Sequence, residues 1–433
     1  MDDALGVAAT VRAGASAVEL VEARLDRIDA SEDLGAFWVV DREGACAEAM
    51  AVDDAVRSGR DPGPFAGVPV GWKDCFDVAG LPTTAGSTLY GATPAARDAA
   101  VVARTRAAGG VSVGKLAMHE LAWGMMGWAT GRPPCPNPLD PTRTAGGSST
   151  GSAVAVATGL VDLAPGTDSG GSVRVPASLC GVVGMKPTLG SVPLDGCIPY
   201  TRSIDHAGPI ARSVRDCGAA LAVLAAHGTE PPPAVPLRGV HVGVLEAHFC
   251  EGLDAGVEAA FRAALETMER AGAVLQPVDL GWQHDPDVLL PLYLAEPLPR
   301  LADAVTADPS AFGPDVVEDV TRGLALTALD YLRALDRLEA RRRRALSALA
   351  AVDLVACPTV PVPAPPLDGA DATRTLNRNS KPFNGLGWPA ITLPCGLDGD
   401  GLPVGLQLAG APGEDWRLIG LALTVEALLR PRT

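Results

Sequence analysis

Two glycine- and serine-rich segments and one lysine contain the residue types that could do chemistry. Residues 146–152 read Gly-Gly-Ser-Ser-Thr-Gly-Ser, residues 167–172 read Thr-Asp-Ser-Gly-Gly-Ser, and Lys73 ends the segment Gly-Val-Pro-Val-Gly-Trp-Lys. A serine hydroxyl is a weak nucleophile at neutral pH, but a lysine can activate it when burial lowers the lysine pKa and leaves the amine neutral. A second hydroxyl can connect the two, because it accepts one proton while it donates another. These residues therefore indicate serine-based hydrolysis.

Three other patterns partly match the same kind of segment. Gly146 and Gly151 have the spacing of a phosphate-binding loop, but residue 152 is a serine where that pattern requires a lysine. Residues 147–151 fit the G-x-S-x-G pattern of a hydrolase elbow, yet no downstream histidine has a supporting sequence context. Residues 112–115 fit S-x-x-K, without the S-D-N and K-T-G elements that accompany it. We rank these three below the hypothesis of a lysine and two serines.

The two segments and their surroundings resemble the amidase signature family. The resemblance is carried by residues 146–152, 167–177 and 180–188, and it is supported by residues 67–74, 137–143, 205–209 and 401–407. It spans most of the chain. The resemblance implies an α/β fold with a central mixed, twisted β-sheet covered by helices on both faces. It also implies a hydrolase that uses neither a metal ion nor an organic cofactor.

The family's functional residues fall on specific positions of this sequence. The resemblance places the catalytic lysine on Lys73, the bridging serine, which follows a cis peptide bond, on Ser148, and the acyl-accepting serine on Ser172. It places the oxyanion hole on the backbone N–H groups of Ser169, Gly170, Gly171 and Ser172. In the hydrolase mechanism such donors stabilise the charge that develops on the carbonyl oxygen. One departure lies close by, since Thr150 stands where the family usually has glycine.

Other conspicuous residues near these motifs are interpreted as structural. Arg174 could bind a substrate carboxylate, but an ion pair with Asp168 fits this form of the motif at least as well. His206 is interpreted as a hydrogen-bonded structural histidine. Core packing is the expected role of Trp72, Trp123, Trp128 and Trp388.

Periodicity and turn residues predict several elements of an α/β chain. A capping box at residues 16–19 opens an amphipathic helix, and residues 67–73 suit a short strand that ends at Lys73. Residues 390–395 and 403–409 flank a Gly/Asp turn and predict a hairpin. A long helix is marked by Leu329, Leu332, Leu335 and Leu338, and it is followed by a strand at 352–355. We expect one domain over residues 1–433, with a catalytic signature core at 67–215 and a part at 239–433 that completes the sheet and the substrate pocket.

Composition limits the partners of the chain. Its 433 residues have a formal net charge of -16, which disfavours binding to nucleic acid. No apolar stretch is long enough for a membrane span, and the first residues lack the features of a signal peptide. The nine cysteines are scattered without a C-x-x-C pair, as expected of reduced thiols in the cytoplasm. The expected partner is a small-molecule amide substrate, and the sequence is compatible with either a monomer or a homodimer.

These observations predict an amide hydrolase that works through an acyl-enzyme on Ser172 and releases ammonia or an amine. A first alternative is the amidase subunit of a glutamine-dependent aminoacyl-tRNA amidotransferase. It ranks second because residues 290–304 lack the Ser-Arg-Phe-Asp-Gly-type element associated with that subunit. A second alternative is a non-catalytic binding protein on the same fold.

Overall fold

A computed structural model describes residues 3–228 and 230–430 of the chain. The two ends of the predicted 1–433 domain, residues 1–2 and 431–433, lie outside the described residues. The strands of the described part are β1 (Phe37–Val40), β2 (Pro69–Lys73), β3 (Val111–Leu116), β4 (Pro136–Asn137), β5 (Asp140–Thr144), β6 (Gly166–Asp168), β7 (Val183–Lys186), β8 (His206–Gly208), β9 (Ile210–Ala211), β10 (His241–Val244), β11 (Val274–Pro277), β12 (Leu354–Pro358), β13 (Ala390–Leu397) and β14 (Pro403–Ala409).

The helices are distributed along the whole described sequence, with short 3-10 turns between some of them. They are α1 (Ala4–Arg12), α2 (Ala17–Asp29), α3 (Arg42–Arg57), α4 (Ala100–Ala107), α5 (Thr150–Ala157), α6 (Arg174–Leu179), α7 (Val214–Leu224), α8 (Ala255–Arg270), α9 (Leu290–Ala295), α10 (Leu298–Ala307), α11 (Pro314–Leu324), α12 (Ala328–Leu349), α13 (Thr373–Leu376), α14 (Lys381–Leu386) and α15 (Asp415–Leu429).

A mixed β-sheet forms the centre of the molecule. Seven strands follow the order β11-β10-β12-β14-β13-β7-β9, and only the pairs of β10 with β11 and with β12 are parallel. A three-stranded sheet, β1-β3-β2, continues it through Leu163, which pairs with Val70 of β2 and with Ala211 of β9. The predicted α/β class with a central mixed sheet is therefore confirmed.

Helices cover both faces of this sheet, as strand β14 illustrates. Side chains of a strand alternate between the two faces. Val404 packs with Val257 and Ala260 of α8, whereas Gln407 faces the opposite way and hydrogen-bonds to Arg174 of α6. The expectation of helices on both faces is confirmed. In the described part of the chain, no helix is both long enough and apolar enough to cross a membrane.

Local sequence patterns located several of these elements. Ser16 caps α2 by accepting a hydrogen bond from the Glu19 N–H at 3.3 Å, and β13 and β14 form the predicted antiparallel hairpin. The strand expected at 352–355 begins two residues later, as β12. All five residues of β2 are buried, so this strand is enclosed on both faces. The position of Lys73 at its end is as predicted.

The long helix α12 is confirmed, and of the four leucines that marked it only Leu338 is buried. Leu329 and Leu332 are exposed, and the buried side chains are Ala334, Leu338, Ala345 and Leu349. Successive helical residues are about 100° apart, so a constant spacing of three rotates by about 60° at each step. Leu329 therefore lies on the opposite side of the helix from Leu338. The buried residues follow the alternating spacing of four and seven that keeps to one face.

Candidate active site

The predicted base and the predicted bridging serine meet at the end of strand β2. Lys73 is the last residue of β2, and Ser148 lies in the loop between β5 and α5. Nζ of Lys73 is 2.7 Å from Oγ of Ser148, and both residues are fully buried. The peptide bond between Gly147 and Ser148 is cis. The structure thus brings two of the three predicted side chains into direct contact.

Burial and hydrogen bonding determine the state of the Lys73 amine. Burial lowers the pKa of Lys73 from its usual value, while neighbouring groups, Cys75 first among them, act to raise it. Besides Ser148, Nζ contacts the side-chain oxygen of Thr167 at 2.7 Å and the Thr167 carbonyl oxygen at 3.4 Å. A lowered pKa makes the neutral amine, which is the form able to accept a proton, accessible at a lower pH.

The predicted nucleophile, Ser172, lies between β6 and α6 and lines a cavity. Its carbonyl oxygen accepts a hydrogen bond from the Ser149 N–H at 3.0 Å, which holds the two serine loops together. Its Oγ lies 3.9 Å from Sδ of Met125. Within residues 3–228 and 230–430, the hydroxyls of Ser148 and Ser172 are not hydrogen-bonded to each other. Catalytic hydrogen bonds are often longer before substrate binds, so the arrangement is compatible with a relay that closes on binding.

The loop before Ser172 is held by side chains from the C-terminal half of the chain. Three consecutive carbonyl oxygens accept side-chain hydrogen bonds, those of Asp168 from Asn384 (2.7 Å), Ser169 from Tyr293 (2.8 Å) and Gly170 from Ser380 (2.7 Å). In a trans peptide the C=O and the following N–H point in opposite directions. Fixing these carbonyls therefore turns the next N–H groups away from the C-terminal half.

Three of the four predicted oxyanion donors are free to bind a ligand. In the described part of the chain, the N–H groups of Ser169, Gly170 and Ser172 have no hydrogen-bond partner. The Gly171 N–H instead donates to Oδ1 of Asp168 at 2.8 Å, so it is already engaged. Gly171 has φ +128°, and a Cβ there would lie 2.0 Å from Oγ of Ser380. Only glycine fits at this position.

A buried ion pair supports the same loop from behind. Asp168 and Arg174 are fully buried, and a guanidinium nitrogen of Arg174 lies 2.8 Å from a carboxylate oxygen of Asp168. This is the ion pair that the structural interpretation of Arg174 predicted. Burial alone would raise the pKa of Asp168, but the Arg174 guanidinium and further donors hold it well below its usual range. His206 is buried beside the pair, and burial holds its pKa well below the usual value. The expectation that His206 is hydrogen-bonded is confirmed by its contact with Lys186 at 3.2 Å.

A cavity of about 180 Å³ opens above Ser172. One wall is aromatic. The centroid of the Tyr200 ring lies 4.8 Å from that of Trp123 and 5.7 Å from that of Tyr293. Trp72 and Trp388 are core residues as expected, whereas Trp123 packs and also lines the cavity. The sequence contained no local signal for this wall, because its members come from three distant segments.

The rim of the cavity carries charges of both signs. Helix α11 contributes Asp315, which lies 3.0 Å from His119, and Asp319, which accepts from Nε1 of Trp123 at 3.2 Å. Arg374 and Lys381 line the cavity from other segments. A small substrate could therefore find partners for an ammonium group and for a carboxylate. These residues lie outside the signature motifs, and no sequence pattern pointed to them.

The described residues contain no group of three or more His, Cys, Asp or Glu side chains arranged to hold a metal ion. All nine cysteines are free thiols.

Comparison with known proteins agrees with this geometry. The Amidase family model matches residues 19–419. A glutamyl-tRNA(Gln) amidotransferase subunit of Chloroflexus aurantiacus is 36% identical over 448 aligned residues, which cover 93% of this chain and 91% of that protein. A solved structure described as an amidase superposes with a TM-score of 0.92 at 37% identity, covering 99% of this chain and 100% of that one.

A further solved structure is the native peptide amidase from Stenotrophomonas maltophilia. It superposes with a TM-score of 0.86 at 32% identity, and the match covers 100% of this chain and 97% of that one. The family model and these likenesses each extend over nearly the whole sequence. The chain therefore belongs to the amidase family of enzymes.

Proposed function

We propose that this enzyme cleaves a carboxamide C–N bond through an acyl-enzyme on Ser172. The observation that supports this most directly is the buried Lys73 amine, 2.7 Å from the Ser148 hydroxyl and next to the loop that carries Ser172. A charged lysine would be costly to bury, so its pKa falls and the neutral amine becomes a usable base. Because the chain belongs to a family of enzymes, the alternative of a non-catalytic binding protein is disfavoured.

The first half of the proposed reaction forms the acyl-enzyme. Oγ of Ser172 attacks the carbonyl carbon, its proton passes to Ser148, and the Ser148 proton passes to Lys73. The N–H groups of Ser169, Gly170 and Ser172 stabilise the resulting oxyanion. The proton then returns from Lys73 through Ser148 to the amide nitrogen, the C–N bond breaks, and ammonia or an amine leaves.

The second half releases the acid and restores the enzyme. Water loses a proton to Ser148, and Lys73 again takes the Ser148 proton, while the water oxygen attacks the acyl carbon. The second tetrahedral intermediate collapses with the Ser172 oxygen as leaving group, and Ser172 regains a proton through the same relay. Removing one oxyanion donor typically lowers turnover by about 100- to 1000-fold, so the loop is as important as the nucleophile.

For the physiological role, the comparison with curated proteins favours an amidotransferase component over a free-standing hydrolase of small amides. The support is the 36% identity to the glutamyl-tRNA(Gln) amidotransferase subunit over 93% of the chain. In this role the side-chain carboxamide of glutamine is the source of ammonia, and a protein partner uses that ammonia. The charges of both signs on the rim suit a zwitterion such as glutamine. A cytoplasmic location, supported by nine free thiols, is part of this proposal.

A free-standing amidase remains the second candidate, for one specific reason. Residues 290–304, which form α9 and most of α10, contain no Ser-Arg-Phe-Asp-Gly-type element. The superposed amidase structure, at 37% identity and nearly full coverage, supports this candidate as well. The two candidates share the chemistry at Ser172 and differ in substrate and partner.

The experiment separates the chemistry from the role. Ammonia release from glutamine and from a panel of simple amides is measured for the isolated chain and for the chain purified from its own cells with its bound proteins. A fluorophosphonate probe and peptide mapping identify the reactive serine. Ser172→Ala is expected to lose hydrolysis and labelling, and either activity persisting in that variant would falsify the mechanism. Glutamine hydrolysis that requires a co-purifying protein supports the amidotransferase role, whereas hydrolysis of simple amides by the isolated chain supports the second candidate.

A further inference from the structure

Two hydroxyl groups compete for the Lys73 amine at the same distance. Oγ of Ser148 and Oγ1 of Thr167 each lie 2.7 Å from Nζ. A neutral amine has two N–H donors and a single lone pair. One hydroxyl can therefore donate to the lone pair while the other must accept an N–H. The relay in the proposed function requires that Ser148, and not Thr167, be the hydroxyl that donates.

A buried thiol lies beside the second hydroxyl. Sγ of Cys75 is 3.8 Å from Oγ1 of Thr167, and Cys75 is 1% exposed. A hydroxyl has one proton to donate and two lone pairs to accept with. If the Thr167 proton points to the sulfur, the Thr167 oxygen is left to accept from Lys73. The Thr167 carbonyl oxygen, which also accepts from the Ser149 hydroxyl at 3.3 Å, lies 3.4 Å from Nζ and can accept the second N–H.

We propose that Thr167 and Cys75 are positioning residues that direct the lone pair of Lys73 toward Ser148. Thr167 donates to Cys75 and takes up both N–H groups of the neutral amine, one on its side-chain oxygen and one on its carbonyl oxygen. The lone pair is then left facing Ser148. When Lys73 gains the relayed proton, its third N–H donates to Ser148, so neither state of the lysine requires a rearrangement. This inference rests on the proposed function of Lys73 as base.

Among the described residues, the other charged or ionisable side chains around Lys73 do not hydrogen-bond to its amine and so cannot orient it. Besides Cys75, whose effect is the largest, Cys197, Asp168 and Asp205 act on the Lys73 pKa through their charge and raise it. In the part of the chain that the structure describes, none of those three side chains hydrogen-bonds to Nζ. Thr167 is anchored by β6, whose pairing with β8 places it opposite Ala207. Its position is therefore fixed by the backbone and is independent of Lys73.

The test measures the rate at which a fluorophosphonate probe labels Ser172 as a function of pH, so that it needs no knowledge of the substrate. Thr167→Val keeps the shape and removes the hydroxyl, and Thr167→Ser keeps the hydroxyl. Cys75→Ala removes the sulfur, and Cys217→Ala is the matched control, since Cys217 is a fully buried thiol on α7. Thermal unfolding of each variant verifies the fold.

We expect Thr167→Val to slow labelling by about 100-fold, which is the low end of what general-base catalysis contributes. Its rate should also begin to rise at a lower pH, because the charged amine has lost an acceptor. Thr167→Ser should stay within about 3-fold of the wild type and Cys75→Ala should be about 10-fold slower, while Cys217→Ala should match the wild type. A variant that combines Thr167→Val with Cys75→Ala should label no more slowly than Thr167→Val alone, because the cysteine acts through the threonine.

Labelling by Cys75→Ala at the wild-type rate at every pH would overturn the inference, and so would a double variant whose loss is the product of the two single losses. If Thr167→Val does not fold, Cys75→Ala carries the test alone. Failure of the underlying function has a different signature, namely continued labelling of Ser172→Ala at another residue. If Ser172→Ala is not labelled and Cys75→Ala is labelled at the wild-type rate, the proposed function stands and only the positioning role is contradicted.

Discussion

The hydroxyl of Tyr293 donates a hydrogen bond of 2.8 Å to the carbonyl oxygen of Ser169, although the two residues are 124 positions apart. Tyr293 belongs to α9 in the C-terminal half, and Ser169 belongs to the loop that ends at Ser172, the proposed nucleophile. The peptide group whose oxygen Tyr293 holds is the one whose N–H belongs to Gly170. A residue that lines the cavity next to Ser172 thus also sets the direction of a candidate oxyanion donor.

Changing Tyr293 to Phe is expected to lower kcat by about 10- to 100-fold, since a donor displaced by a fraction of an ångström loses much of its effect. KM should change little, because the ring remains in the aromatic wall. Steady-state ammonia release gives both constants. Tyr331→Phe is the control, as Tyr331 also donates a hydrogen bond (3.1 Å, to Glu296) but lies away from the cavity. Equal losses in the two variants would contradict the assigned role.

The activity should rise with pH through the pKa of Lys73. Below that pKa the amine is protonated and cannot accept the relayed proton, whereas above it the neutral amine can. Because burial lowers the Lys73 pKa, the rise should lie below the ordinary lysine value of about 10.4. The measurement is kcat/KM against pH in buffers of constant ionic strength.

Lys73→Arg provides the companion measurement. Arginine stays protonated throughout the accessible range, so the variant should be inactive at every pH while it retains a positive charge at the position. A pH profile for the wild type that shows no rise at any pH below about 10.4, or an active arginine variant, would argue against lysine as the base.

Asp168→Asn should destabilise the protein by about 3 to 5 kcal/mol, because it leaves the buried Arg174 guanidinium without its counter-charge. The free energy of unfolding in urea measures this. Glu246→Gln is the matched control, since Glu246 and Arg262 form an exposed ion pair that is worth about 1 kcal/mol or less. If the two substitutions cost the same, the buried pair does not carry the stability assigned to it.

The charge of the rim predicts a preference among substrates. Asp319 lines the cavity and is fixed by Trp123 and by Arg322, whose guanidinium lies 2.7 Å away. Asp319→Asn should raise KM about 10-fold for an amide with a permanent cationic group, such as trimethylammonioacetamide. Its uncharged isostere, 3,3-dimethylbutanamide, should be affected by less than about 2-fold. The measurement is the ratio of KM for the cationic amide to KM for its uncharged isostere, in the wild type and in the variant. If this ratio is the same in both, Asp319 does not bind the ammonium group.

The sequence was sufficient for the family and for elements that follow a local pattern. Short glycine-rich motifs made Lys73, Ser148 and Ser172 the candidate catalytic residues, whose roles stay a prediction, and the hairpin of β13 and β14 was predicted from alternation around a turn. Tyr293, one of the side chains that hold the oxyanion loop, could not be found in this way. It is a single residue without a local pattern, and its role arises only when two distant parts of the chain pack together.

The same distinction applies to two further features. Leucines at a constant spacing of three indicated the helix α12, but which of its residues are buried depends on the side that meets the neighbouring elements. The Gly171 N–H was expected to be a free donor, but the Asp168 carboxylate is close enough to accept from it at 2.8 Å. In both cases the decisive information was the position of a neighbour and not the local sequence.

The pairing of Leu163 with both Val70 and Ala211 has a consequence for engineering the enzyme. Its carbonyl oxygen accepts from the Gly71 N–H at 3.1 Å, and the Pro165 carbonyl accepts from the Lys73 N–H at 3.4 Å, so the main chain itself sets the spacing between the reactive amine and β6. These are backbone contacts between β2 and residues 163–165, so wall side chains other than Tyr293, which holds the Ser169 carbonyl, can be exchanged to redesign specificity without altering them.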